Sequence, residues 1–201
     1  MYTLIGNPQT RAFRVVWCLE ELGLEYELLN LAPRSPEMQK YNPSGKVPAL
    51  KVGEDIIIDS VAICQFLADR AGKMTYPCGS IERAKMDSFI HLAADEFDHA
   101  CWVWAKHDRF LPKEQRSEGA KCACSDEWDR AIAHLSERLG TNKYVMGEDF
   151  TVPDILFGQC ASWAEKMCGF AIPEGNVKDY FTRIRRRKGF VRAVKVAYPK
   201  T

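Results

Sequence analysis

Apolar and polar positions along the chain change period once, near residue 72. Before that point short β-like runs alternate with amphipathic stretches; beyond it only helical spacing is found. Tyr2-Thr3-Leu4-Ile5 predicts a strand, broken at Gly6-Asn7-Pro8. Ala12, Phe13, Val16, Trp17, Leu19 and Leu22 then fall on one face of a helix that Gly23 closes. From Glu25 to Leu31 polar and apolar residues alternate as in a second strand, giving a βαβ unit. A short Pro-bounded segment, Ser35 to Tyr41, leads through Asn42-Pro43 to two aliphatic runs, Val47 to Val52 and Ile56 to Ile58. The Gly53-Glu54-Asp55 turn between them predicts a hairpin. Ile63, Phe66 and Leu67 place a helix over Ser60 to Ala71. The order β-α-β-α-β-β-α packs helices on both faces of one small mixed sheet.

Lys73 to Gly79 has no apolar period and carries Pro and Gly, so it reads as a linker between a domain at 1–72 and a second at 80–201. Helices are expected from Ile81 to His107 and from Pro112 to Gly140, with a turn around Asp108 to Pro112. Thr151-Val152-Pro153-Asp154 is a helix start: a capping Thr, a Pro in the first turn and a carboxylate three residues on. Phe150 and Ile155 occupy the two staple positions, and the helix runs through Phe157, Cys160 and Trp163 to Gly169. Shorter helices at about Asn176 to Lys188 and Phe190 to Ala197 complete an all-α bundle. The fold class expected is therefore α/β followed by all-α.

Composition narrows the possible partners. With 201 residues and 46% hydrophobic content the chain can bury a sizeable core. Lys plus Arg (28) nearly balance Asp plus Glu (27), a field that favours neither nucleic acid nor an anionic membrane. No apolar run approaches the roughly 18 to 20 residues of a membrane span, and no basic segment followed by an apolar core opens the chain, so a cytoplasmic protein is expected. Eight cysteines in so aliphatic a chain read as free thiols, with Cys18, Cys64, Cys101, Cys160 and Cys168 among apolar neighbours. His91, Asp95 and His99 share a helix face in metal-ligand vocabulary, but no second motif accompanies them and no metal is expected. Cys122-x-Cys124 lacks a partner pair and reads as a loop, and the basic run Arg183 to Lys188 as a solvated helix end.

Two stretches carry candidate chemistry. Pro48 at the start of a strand cannot donate to a ladder and pushes Val47 into an extended conformation; a cis bond there would free the Val47 N–H and C=O for an extended ligand. Asp59-Ser60 stands where a strand gives way to a helix. Ser60 there either caps its own helix or, with the free N–H groups, binds an anion.

These features together resemble the cytosolic glutathione transferases, most of all the bacterial theta-like and plant-like members. The resemblance rests on Val47-Pro48, Asp59-Ser60, the Gly6-Asn7-Pro8-Gln9-Thr10-Arg11 turn, the helical part entered after Tyr76-Pro77, and Thr151-x-x-Asp154, and it covers essentially the whole chain. It implies a thioredoxin-like first domain, a homodimer built on helices around Ile81 to Ala105, and glutathione as co-substrate. Val47 would pair with the cysteinyl backbone beside Pro48; Ser60 would take the γ-glutamyl carboxylate and Asp59 the ammonium. Lys46, and less directly Lys40, would meet the glycyl carboxylate, or Lys46 is a solvated loop lysine. Only a thiolate is a good nucleophile, so a donor must face the sulfur. Asn7 stands where many relatives have Ser, and Thr10 lies at the helix start; each offers a donor, or both only shape the turn. Cys18 is too deep in its helix to form a mixed disulfide. The apolar electrophile would lie between this turn and the first bundle helices, against Trp102, Trp104, His107, Phe110 and Trp163, or these aromatics are bundle core. The activities implied are transfer of glutathione to an apolar electrophile, a binding protein of the same fold with little turnover, or a glutathione-dependent isomerase or dehalogenase.

Overall fold

The computed structural model describes residues 1–199. In chain order its elements are β1 (Tyr2–Ile5), α1 (Ala12–Leu22), β2 (Tyr26–Leu29), α2 (Pro36–Gln39), β3 (Ala49–Val52), β4 (Asp55–Ile58) and α3 (Ser60–Ala71). There follow α4 (Ile81–Leu92), α5 (His99–Ala105), α6 (Glu118–Leu139), α7 (Val152–Trp163), α8 (Asn176–Arg185) and α9 (Lys188–Ala197). They form two compact units, Met1–Pro77 with the described tail from Arg185 onward, and Cys78–Ile184.

In the first unit the four strands are ordered β2-β1-β3-β4, with β1 parallel to β2 and antiparallel to β3, and β3 antiparallel to β4. Register places Ile5 opposite Ala49 and Leu29, and Leu4 opposite Leu50. Because side chains alternate across a strand, Ile5 and Ala49 share a face. They pack with Met38 of α2, and Leu31, Tyr41, Val47 and Ile56 close over them. Gly23 ends α1 and Gly72 ends α3 in the left-handed conformation that glycine adopts most readily. Cys18 and Cys64 lie fully buried where α1 meets α3, and Cys18 Sγ approaches the Cys64 carbonyl at 3.8 Å.

The last helix differs from expectation. The reading that assigned 80–201 to one bundle is altered at its end, because α9 packs on α1 within the first unit. Phe190 meets Trp17 and Phe13 edge-on, at centroid distances of 4.9 and 5.6 Å. Arg187 grips Glu21 with two hydrogen bonds of 2.8 and 2.9 Å. A Cβ at Gly189 would lie 2.5 Å from Glu21 Cδ, so glycine lets the two helices touch here. α9 also begins at Lys188, before Phe190, with extended Arg187 preceding it.

The second unit is all helix and loop. From Ile81 the chain stays helical to Phe110, through π-helical turns at Ala93–Asp98 and Lys106–Phe110 on either side of α5. It leaves the helix only at Leu111, whose N–H reaches back five residues to the Lys106 carbonyl, so the turn expected at 108–112 starts later. The helix expected from Pro112 begins at Glu118. Leu111, Pro112 and Arg116 are extended around one 3₁₀ turn at Lys113–Gln115, and Ser117, not Pro112, is the cap, accepting from Ala120 N at 3.2 Å. Cys122 and Cys124, read as a loop, lie inside α6. Phe97 stands edge-on to Trp128 and Phe157, each at 5.1 Å, as the middle of the aromatic core. At the start of α7 the buried Asp154 accepts from Thr151 N (2.7 Å), Thr151 Oγ1 (3.1 Å), Val145 N (3.2 Å) and Tyr180 Oη (2.8 Å).

All eight cysteines are free thiols, and the five expected to be buried are buried. Among the described residues no helix is long and apolar enough to cross a membrane, and no three metal-ligating side chains come together.

Candidate active site

The first unit brings the turn after β1, the loop before β3 and the start of α3 to one end of the sheet. β1 stops at Ile5 and the chain turns at Gly6, whose φ is +132°. A Cβ on Gly6 would lie 2.9 Å from Val47 Cβ, so the turn passes directly over the residue preceding Pro48. The Val47-Pro48 bond is cis. Neither backbone group of Val47 has a hydrogen-bond partner among the described residues. The loop leading to Val47 is fixed by Asn42, which is buried. Its Oδ1 accepts from Ser44 N and Oγ, and its Nδ2 donates to the Lys46 carbonyl at 2.9 Å. The Lys46 and Lys40 side chains are exposed.

Within the turn, Asn7 and Thr10 are tied to each other. The Asn7 carbonyl accepts from Thr10 N at 3.1 Å and from the Thr10 hydroxyl at 2.6 Å; that hydroxyl in turn accepts from Ala12 N at 3.2 Å. Thr10 thus spends its only side-chain proton internally. Asn7 Oδ1 accepts from Gln9 N at 2.8 Å, which fixes the amide's orientation and leaves its NH₂ without a partner among the described residues. The group left to donate is the Asn7 amide, at the N-terminal end of α1, where the helix dipole favours negative charge.

Asp59, not Ser60, caps α3. Its Oδ1 accepts from Val61 N (2.8 Å) and Ala62 N (3.3 Å), which offsets a φ of +74° that non-glycine residues rarely adopt. Ser60 is the first residue of the helix, 2% exposed, and its hydroxyl accepts from Arg14 Nη1 at 3.3 Å. Sequence reasoning missed Arg14, a buried guanidinium beneath this helix start. Its one signal is a charge between Phe13 and Val15 on an otherwise apolar stretch. Gly6 and Asn42 were missed as well, because their roles are close approach and loop bracing rather than chemistry.

Cys18 carries no activated thiol. The Cys64 thiol beside it and its complete burial hold its pKa well above the ordinary value.

In the second unit the residues expected around an electrophile do not share one face. Trp102 packs on Phe110 at 5.4 Å, whereas Trp104 meets Phe170 at 6.1 Å with Lys121 Nζ 5.4 Å from its ring. His107 Nδ1 accepts from Ser117 N at 3.2 Å. Residues two apart on a helix point in nearly opposite directions, so Trp102 and Trp104 cannot line the same wall. A groove of about 290 Å³ in this unit lies elsewhere, between α6 and the Pro173–Val177 segment.

Comparison with known proteins places this geometry. Residues 10–70 match the model of the glutathione S-transferase N-terminal domain and residues 99–188 that of the glutathione S-transferase C-terminal domain. The chain belongs to the glutathione S-transferase family. Glutathione S-transferase GstB of Escherichia coli K12 is 28% identical over 98% of this chain and 99% of its own. Elongation factor 1-gamma 1 of rice (Oryza sativa subsp. japonica) is 28% identical over 78% of this chain, which spans only 38% of that protein's length. Among solved structures, the theta-class glutathione S-transferase of Xanthomonas axonopodis pv. citri, determined with glutathione bound, superposes with a TM-score of 0.82 at 24% identity over 96% of each chain. The β-α-β-α-β-β-α unit accordingly has the thioredoxin-like fold of this family's N-terminal domain, and a helical domain follows it.

Proposed function

We propose that this protein is a glutathione transferase in which the Asn7 amide stabilises the thiolate of bound glutathione for attack on an apolar electrophile. The observation that carries the reading is the unpartnered Asn7 NH₂, in a turn whose Thr10 hydroxyl is already engaged and which lies against Val47. Glutathione in an extended conformation would pair with the two unpaired backbone groups of Val47 beside Pro48. Its γ-glutamyl carboxylate would meet Ser60 at the α3 N-terminus, where Arg14 adds positive charge from beneath. The Asp59 oxygen not used in capping is the acceptor for the ammonium, and Lys46 is a flexible counter-charge for the glycyl carboxylate. In the reaction the thiol loses its proton to solvent and the thiolate adds to the electrophilic carbon: the carbon–sulfur bond forms as that carbon's π bond breaks, the displaced electron pair takes up a proton from solvent, and the Asn7 N–H stabilises the sulfur charge until it is consumed. Homodimers and a cytoplasmic setting are typical of the family and belong to this proposal, as does the division into a glutathione-binding domain and a helical domain.

A second reading is a glutathione-binding protein with little turnover. It is favoured by the sequestered Thr10 hydroxyl, which leaves one neutral amide donor for the sulfur, and by the similarity to elongation factor 1-gamma. Ultraviolet titration of the thiolate of bound glutathione, in wild type and Asn7→Ala, separates the two. A thiol pKa brought well below the free value of about 8.5 in wild type and restored in the variant supports the transferase. Tight binding with an unshifted thiol supports the carrier.

A further inference from the structure

The Asn7 turn is joined to the end of the chain. Gln9 makes two hydrogen bonds in different directions. Its backbone N–H donates to Asn7 Oδ1 at 2.8 Å, and its side-chain Nε2 donates to the carbonyl of Ala197 at 3.0 Å. Ala197 is the last residue of α9 and is buried. The final carbonyls of a helix have no acceptor role within it, so a side chain that takes one caps the helix. Here the cap comes from the turn that presents the candidate sulfur donor, 188 residues away in sequence.

α9 is anchored well enough to serve as a fixed point. Glu21 of α1 is nearly enclosed, accepts from Trp17 Nε1 at 3.0 Å and is gripped by both Arg187 bonds. One turn further, Arg192 Nε donates to Glu20 Oε2 at 2.6 Å, and its Nη2 donates to the Glu20 carbonyl. Phe190 fills the space between these contacts against Trp17 and Phe13. The two ion pairs, the edge-on rings and the Gln9 bond lie along one α1–α9 seam, and the Gln9 bond reaches beyond α1 into the turn.

We propose that Gln9 is a positioning residue that couples α9 to the thiol site. By bonding the Ala197 carbonyl it fixes its own backbone, whose N–H then orients the Asn7 amide with Oδ1 inward and NH₂ available to sulfur. The inference rests on the reading of Asn7 as the thiolate donor. Gln9 itself touches no substrate.

The test compares Gln9→Met, which keeps length and loses the donor, with Gln9→Lys, which keeps a donor. Thiol titration of bound glutathione is one readout and the Asn7 side-chain amide signals in NMR, recorded without glutathione, are the other. Expected for Gln9→Met is a thiol pKa raised by about half a unit to one unit, displaced Asn7 amide signals and a thermal midpoint changed by no more than about 3 °C. Gln9→Lys should remain near wild type in both readouts. Unmoved Asn7 signals in Gln9→Met would overturn the coupling, and equal displacement in both variants would show that α9 is not what transmits it. Displaced Asn7 signals in a protein that does not lower the thiol pKa even as wild type would sustain the coupling and sink the transferase reading instead.

Discussion

Asn7 and Thr10 offer a sulfur ligand the same chemistry on paper, an N–H and an O–H three residues apart, and hydrogen bonding separates them. The Thr10 proton is committed to the Asn7 carbonyl at 2.6 Å and its lone pair to Ala12 N–H, whereas the Asn7 NH₂ has no internal partner among the described residues. Asn7→Ala is expected to raise the thiol pKa of bound glutathione while changing its dissociation constant by no more than about fivefold, since one neutral hydrogen bond is worth about 1 kcal/mol. Thr10→Ala should act mainly on stability, lowering it by about 1 kcal/mol in chemical denaturation through loss of the turn's internal bonds. If Thr10→Ala shifts the thiol more than Asn7→Ala, the assignment of roles is reversed. Ser60→Ala should weaken glutathione binding about tenfold by calorimetry, the value of a charge-assisted hydrogen bond; unchanged affinity would remove Ser60 from the site. Both members of each pair were legible in the sequence, but their roles were not. Which of Asp59 and Ser60 caps α3 depends on the backbone, where Asp59 takes φ +74° and Ser60 begins the helix.

Among the elements, the start of α7 was the most legible and is the most heavily bonded. A capping Thr, a Pro in the first turn and an Asp three residues on predict a helix N-terminus from local chemistry alone. Tyr180 and Val145, which complete the coordination of Asp154, come from elsewhere in the chain and carry no local signal. Asp154→Ala would leave buried donors at Thr151, Val145 and Tyr180 without their acceptor and should destabilise the protein by about 3 kcal/mol in urea; a loss under about 1 kcal/mol would mean that these donors find water instead. The π-helical turns at Ala93–Asp98 and Lys106–Phe110 could not be read, because no local residue type marks where a helix will widen by one residue. The same widening undermines any inference from i, i+4 spacing across His91, Asp95 and His99. The late start of α6 was missed for a different reason: Pro112 reads as a helix-opening residue, but the carbonyls of Arg109 and Leu111 are bound by Arg116, which keeps the intervening loop out of the helix.

At the scale of the whole molecule, Asp154 also sets a pH dependence. Burial raises its pKa from 3.8 to about 6, against the pull of four donors. The folded protein therefore binds this proton more tightly than the unfolded chain, so the group's contribution is fully present below about 3.8 and is lost as pH rises through about 6. Wild type minus Asp154→Asn should show a stability difference that falls by up to about 3 kcal/mol between pH 4 and pH 7; a flat difference would mean that Asp154 stays ionised throughout. If the protein is the homodimer proposed, sedimentation should give twice the 22.9 kDa chain mass, and a monomer at all concentrations would remove that part of the proposal. The sequence by itself determined the strand and helix order of the first unit, the capped start of α7, the buried thiols and the family. Each of these depends on periodicity, capping or turn chemistry within a few residues. Only the tertiary structure decided that Arg14 lies beneath Ser60, that Gly6 meets Val47, that Trp102 and Trp104 face apart, and that α9 returns to α1 and reaches the Asn7 turn through Gln9. Those relations join residues distant in the chain, and a hydrogen bond between them depends on ångström-level placement that no local pattern encodes.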